Sequence, residues 1–99
     1  MAHFLAPEAK TNLDDIWYYI AKESGSPERA DRFVDALTER FYLLSTHPRL
    51  GRKRDDLRTG LRSFPVGDYL IIYRITAAED VLISYVTHGR QDLRQVVSS

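Results

Sequence analysis

Two residues near the C-terminus, His88 and Arg90 in Thr87-His88-Gly89-Arg90-Gln91-Asp92, are of the types that handle phosphate esters. An imidazole gives or takes a proton near neutral pH, and a guanidinium beside it stabilises the charge that develops on oxygen. Two more arginines, Arg62 and Arg74, stand in Gly60-Leu61-Arg62-Ser63-Phe64-Pro65-Val66-Gly67-Asp68-Tyr69-Leu70-Ile71-Ile72-Tyr73-Arg74, which reads as one β-hairpin. Both have apolar neighbours, where a charge is costly unless it is paired or faces a cleft. They therefore either pair structurally or line an anion-binding face. Arg49, Arg52, Lys53, Arg54 and Arg58 precede them on a stretch that reads as a charged loop, and for Arg49, Lys53 and Arg58 solvation alone accounts for the charge. A lone histidine is more often structural than catalytic, so both readings of His88 stay open.

Other chemistries are poorly supplied. Cysteine is absent, which removes disulfides and thiolate metal sites and fits a cytoplasmic protein. His3, His47 and His88 are far apart and make no metal-ligand spacing. Neither a glycine-rich phosphate loop, a nucleophile elbow nor a dinucleotide fingerprint occurs, and no cofactor is expected. No apolar run approaches the roughly 18 residues of a membrane span, and the start, Met1 to Glu8, does not read as a secretory signal.

The elements that must position these side chains follow from local signals. At 99 residues the chain is one domain, spanning 1–99, with a modest core. His3 to Ala6 can form a first strand. Pro7 suits the first turn of a helix, because its missing N–H would be unpaired there anyway. Ala9, Leu13, Ile16, Trp17 and Ile20 then make an apolar stripe that ends near Ser24-Gly25. Ser26 is an N-cap with Pro27 and Glu28 behind it, Ala30 to Leu44 carry a second stripe, and Pro48 stops that helix. The short connection predicts an antiparallel helical hairpin. Leu61 to Val66 and Tyr69 to Ile75 flank Gly67-Asp68, a tight hairpin turn, and Val81 to Thr87 is the last strand. Residues 89–99 add a short helix or a loose tail. The predicted class is α+β, in the order β-α-α-β-β-β, with the hairpin on one face of a mostly antiparallel sheet. Arg62, Arg74 and His88 would then collect on the uncovered face.

Zero net charge conceals two unlike halves. Residues 1–47 hold five Lys/Arg against eight Asp/Glu, and residues 48–99 hold nine against six, so the halves are −3 and +3. That division suggests two surfaces, while the overall balance argues against a dedicated duplex DNA binder. Tyr18 falls opposite the stripe of the first helix, and Tyr42 and Leu43 fall off the stripe of the second. Exposed apolar residues among acids on one hairpin make a partner-binding surface.

The segments His47-Pro48-Arg49-Leu50-Gly51-Arg52, Leu61-Arg62-Ser63-Phe64 and His88-Gly89-Arg90-Gln91-Asp92, in that order after a helical hairpin, closely resemble the toxins of the RelE/ParE superfamily of bacterial type II toxin–antitoxin systems. The RelE-like branch consists of ribosome-dependent mRNA endonucleases. Its lysine positions read Leu61 and Ser63 here, its arginine after the turn reads Leu70, its C-terminal tyrosine falls near Val96, and only Arg90 matches. The ParE-like branch is much closer. That resemblance implies a toxin that inhibits DNA gyrase, alone or in its DNA complex, with no catalytic site of its own, and that is neutralised by a ParD-like antitoxin. The charge pattern makes Arg52, Arg54, Arg62, Arg74, His88 and Arg90 the target-binding candidates. Resemblance and exposure together assign Trp17, Tyr18, Tyr42 and Leu43 to the antitoxin. A ribonuclease using His88, Arg90, Arg62 and Arg74, or a non-toxic antitoxin-binding module, are the alternatives.

Overall fold

The computed structural model describes residues 2–98. In chain order the elements are β1 (His3–Leu5), α1 (Pro7–Ser24), α2 (Pro27–Thr46), β2 (Arg52–Lys53), β3 (Leu61–Val66), β4 (Tyr69–Ile75), β5 (Val81–His88) and α3 (Leu93–Ser98). The strands form one sheet in the order β1-β5-β4-β3-β2. Only the β1–β5 pair is parallel.

The helix ends have the causes read from the sequence. Ser26 Oγ accepts a hydrogen bond from Arg29 N at 3.2 Å, and Pro27 follows it at the first helical position. Gly25 ends α1 in the left-handed region at φ 68°. In the β3–β4 turn φ is positive at Gly67 and not at Asp68, the pattern of a II′ turn with glycine first.

Leu37, Phe41 and Leu44 of α2 and Ala9 and Ile16 of α1 pack on Ile71, Tyr73, Val81, Ile83 and Val86 of the sheet. Two findings go beyond the expected topology. Arg52 and Lys53, read as loop, pair with Ser63 and Arg62 as a fifth, very short edge strand. Two charged side chains there discourage further pairing at that edge. The C-terminal segment takes the helical one of its two expected forms, and, beyond that expectation, Val97 and Leu93 of α3 cover Leu61, Ile72 and Tyr85 on the sheet's second face. The Arg58 guanidinium ties it down by donating to the Val97 carbonyl. Roofing by α3 on one side and the helical hairpin on the other is why Ile71, Ile72 and Tyr73 are all fully buried.

His3 lies edge-on to Tyr42 at 4.9 Å and beside Phe41. Burial lowers its pKa below the ordinary 6.5, because the charged ring is poorly solvated. The unfolded chain therefore takes up this proton at higher pH than the folded one. Stability should be intact above pH 6.5 and fall as the pH drops below that value. Thermal melts of wild type and His3→Phe at descending pH check this; the variant should show a smaller loss below that pH.

Candidate functional surfaces

Strand parity and register, rather than proximity in sequence, decide where the arginines point. Cross-strand partners share a face. Arg62 pairs with Tyr73, which belongs to the helix-side core. Arg74 pairs with Leu61 and Leu82 on the opposite face. His88 pairs with Tyr69, again on the helix side. The expected gathering of Arg62, Arg74 and His88 on the uncovered face therefore does not occur, and Arg74 alone of the three is there. Tyr69 and Arg74 are five positions apart on β4, so His88 and Arg74 stand roughly 17 Å apart along the sheet. These groups share no phosphate.

Arg62 has a structural task. Its Nη1 donates to the carbonyls of Gly51, at 2.8 Å, and Arg49, at 3.3 Å. Beside it the buried Tyr73 hydroxyl donates to the Pro48 carbonyl at 2.7 Å and accepts from Gly51 N at 2.8 Å. Burial pushes the Tyr73 phenol above its ordinary pKa, against the pull of Gly51 N–H and Arg62. Together the two side chains fasten residues 48–51, the passage from α2 to β2. Gly51 fits nothing larger: a Cβ there would meet the Tyr73 hydroxyl at 2.4 Å and the Ser63 carbonyl at 2.9 Å. Gly51→Ala should cost about 1–3 kcal/mol by overpacking, lowering Tm by roughly 5–20 °C. Calorimetry checks this.

The remaining candidates separate in the same way. Arg54 forms a two-pronged pair with Asp56, Nε to Oδ1 at 3.1 Å and Nη2 to Oδ2 at 3.2 Å, and this hydrogen bonding is the main cause of the lowered Asp56 pKa. Arg49 meets Glu79 at 3.4 Å. Arg90 is exposed, and its backbone N–H donates to His88 Nδ1 at 3.1 Å, which places the proton of a neutral His88 on Nε2. Among the described residues Arg52 and Arg74 are exposed and have no ion-pair partner. Arg52 pairs with Ser63 and Ser63 with Ile72, two positions before Arg74, so both arginines belong to the second face. Strand spacings put their Cα atoms roughly 12 Å apart. The half-buried Leu82 and the exposed Phe4 continue the row across β5 and β1.

On the other side, Tyr18 and Tyr42 are 64% and 63% exposed. Trp17 is half-buried, and its indole N–H donates to Asp31 Oδ1 at 2.7 Å, tying α1 to α2. Leu43 is half-buried beside Pro48 and Leu50. Asp31 stands opposite Trp17, and Tyr42 lies eleven residues further along α2, so Tyr18 and Tyr42 are roughly 16 Å apart along the hairpin. Tyr19, Phe4 and Leu50, at least half exposed, were not singled out from the sequence. The helical period signals Tyr19 weakly, since it lies next to the core stripe. Phe4 and Leu50 sit in segments too short to show any period.

The fold is a small α+β domain with exposed aromatics on an acidic helical hairpin and unpaired arginines on the far face of the sheet. The chain belongs to the ParE toxin family, whose model, the ParE toxin of the type II toxin–antitoxin system parDE, matches residues 4–93. Among its relatives, Toxin ParE3 of Caulobacter vibrioides is 37% identical over 82 residues, covering 83% of this chain and 80% of that one. Toxin ParE1 of Mycobacterium tuberculosis is 28% identical over 91 residues and 92% of each chain. A solved chain from the chromosomal ParDE TA system of P. aeruginosa has the same fold, with a TM-score of 0.76, 20% identity, and coverage of 89% of this chain and 95% of that one. No helix among the described residues is long and apolar enough to cross a membrane.

Proposed function

We propose that this protein is the toxin half of a type II module, that it acts in the cytoplasm by inhibiting DNA gyrase, and that a ParD-like antitoxin covering the helical hairpin silences it. The separation of surfaces is the observation that supports this reading most. The exposed Tyr18 and Tyr42 lie on one side and unpaired Arg52 and Arg74 on the other, while His88 and the sheet arginines are too far apart to act on one phosphate. A gyrase inhibitor needs to bind the enzyme or its DNA complex and stop resealing, which calls for complementary charge and no acid–base pair. A RelE-like ribonuclease needs proton transfer to and from the 2′-hydroxyl and the leaving oxygen, and the dispersal of these groups weighs against it.

The test is a gyrase reaction on supercoiled plasmid with ATP, with and without antitoxin-free protein. Protein-dependent accumulation of linear, gyrase-linked DNA supports the proposal, and normal gyrase turnover with folded protein overturns the target. Normal growth on expression without antitoxin would instead favour a non-toxic binding module. Arg52→Ala combined with Arg74→Ala should relieve growth arrest at equal expression and change stability by only about 0.5 kcal/mol, because both side chains are surface groups. Arg62→Ala should act differently, by loosening residues 48–51 and lowering Tm.

A further inference from the structure

A groove of about 360 Å³ between α1 and the last half of β5 belongs to neither surface described above. α1 contributes Asn12, Asp15 and Tyr19 to it, β4 contributes Tyr69, and His88 and Gln91 close its end. The chain has 14 Lys/Arg, and none of them lines this groove; its formal charge is the Asp15 carboxylate. The adjoining hollow, which shares Asn12 and Val96 with it, adds Glu8, so the acidic character continues along the same face of α1.

Its aromatic walls are held in place. The Tyr69 ring is flanked by His88, edge-on at 5.3 Å, and by Phe33, tilted at 5.3 Å. Tyr19 is near enough to Tyr69 to help raise the pKa of that phenol, after the larger effect of burial. The floor is a sheet edge without a strand beside it. β1 pairs with Val81, Leu82 and Ile83, and β5 runs on to His88. Asn12 Oδ1 accepts from Val86 N at 3.0 Å, standing where the carbonyl of a further strand would.

A carboxylate, two phenol rings and no cation are complementary to a guanidinium or ammonium group. The ring faces attract a positive charge, and the carboxylate accepts its N–H groups. The same carboxylate repels phosphate. We propose that this groove docks an arginine or lysine side chain presented by an extended segment of a partner protein. The Val86 N–H that a further strand would use is already held by Asn12, so recognition rests on the cation and not on strand addition. The proposal requires no role for gyrase, and the groove is unsuited to nucleic acid.

The test is an NMR titration of the full-length, isotope-labelled protein with the blocked peptide Ac-Thr-Val-Arg-Val-Thr-NH2, and with the same peptide carrying neutral citrulline in place of arginine. Saturable shifts should centre on Asp15, Tyr19, Val86 and His88, and the citrulline peptide should bind about tenfold more weakly. Asp15→Asn should weaken the arginine peptide several-fold and bring the two peptides closer together. Asp15 is exposed, so this variant should fold normally. Tyr19→Leu, which keeps bulk and removes the ring, gives a second reading and should also weaken binding. Equal binding of both peptides, shifts centred elsewhere, no saturable shift by roughly 10 mM, or wild-type affinity in Asp15→Asn would each overturn the proposal.

Discussion

Tyr73→Ala is expected to leave the chain unfolded or nearly so at 37 °C. Truncating a fully buried aromatic costs about 3–5 kcal/mol through lost transfer energy and the cavity left behind. Here the hydroxyl is lost as well, so the Pro48 carbonyl and Gly51 N–H are left in a buried site without their partner. Each such group adds about 1–3 kcal/mol unless water reaches it. A domain of this size has only about 5–15 kcal/mol to lose. Tyr73→Phe separates the two contributions. It keeps the ring and should cost about 1–3 kcal/mol, with the loosening concentrated at residues 48–51. Denaturant melts give the totals, and amide exchange at Gly51 locates the change. If Tyr73→Phe melts like wild type with Gly51 still protected, the hydroxyl is not what fastens this passage.

The second large effect concerns the antitoxin. Replacing Tyr18 or Tyr42 by glutamate should weaken the complex with the cognate antitoxin at least tenfold each and leave the free protein folded. Exposed tyrosines at a protein interface are common energetic anchors, worth about 2 kcal/mol or more on truncation. A carboxylate is worse than a truncation in a desolvated contact, particularly on a helical hairpin that is already acidic. Because the two rings are roughly 16 Å apart along the hairpin, a partner long enough to cover both should lose affinity in near-additive steps in the double variant. Calorimetric titration with purified antitoxin reads this directly. Unchanged affinity in both single variants, with intact melts, would move the interface off the hairpin. Trp17 requires separate treatment: its hydrogen bond to Asp31 means that Trp17→Ala would loosen the helix pair even if no partner touched it.

Most of the architecture was legible because its signals are local. Pro7, Ser26 and Pro27 open helices through the backbone groups each one lacks or satisfies, Gly25 ends one through its left-handed conformation, and Gly67 with Asp68 turns the hairpin. Every one of these acts within a few residues of itself. The two-residue strand β2 was not legible, since two charged residues carry no alternation, and its pairing with Ser63 and Arg62 is a fact about another segment. The resemblance to the RelE/ParE superfamily rested on the order of motifs along the chain, which the chain itself displays.

The fate of each charge is a different kind of fact. From sequence, Arg62 and Arg74 are equivalent: one arginine per strand, both among apolar neighbours. Strand parity and the β3–β4 register put them on opposite faces. Two carbonyls from residues 49 and 51 then occupy the guanidinium of Arg62, while Arg74 faces outward unpaired. Arg52 and Arg54, two residues apart, part company in the same way, because Asp56 hydrogen-bonds Arg54 and acts on Arg52 only through its charge. His88 meets Asp15 across a groove built from positions more than seventy residues apart in the chain. The sequence by itself thus determined which elements form and the total charge they carry. Which charges are satisfied within the fold, and which are left exposed, was decided by tertiary structure, because hydrogen bonding and desolvation act over a few ångströms in space whatever the separation along the chain.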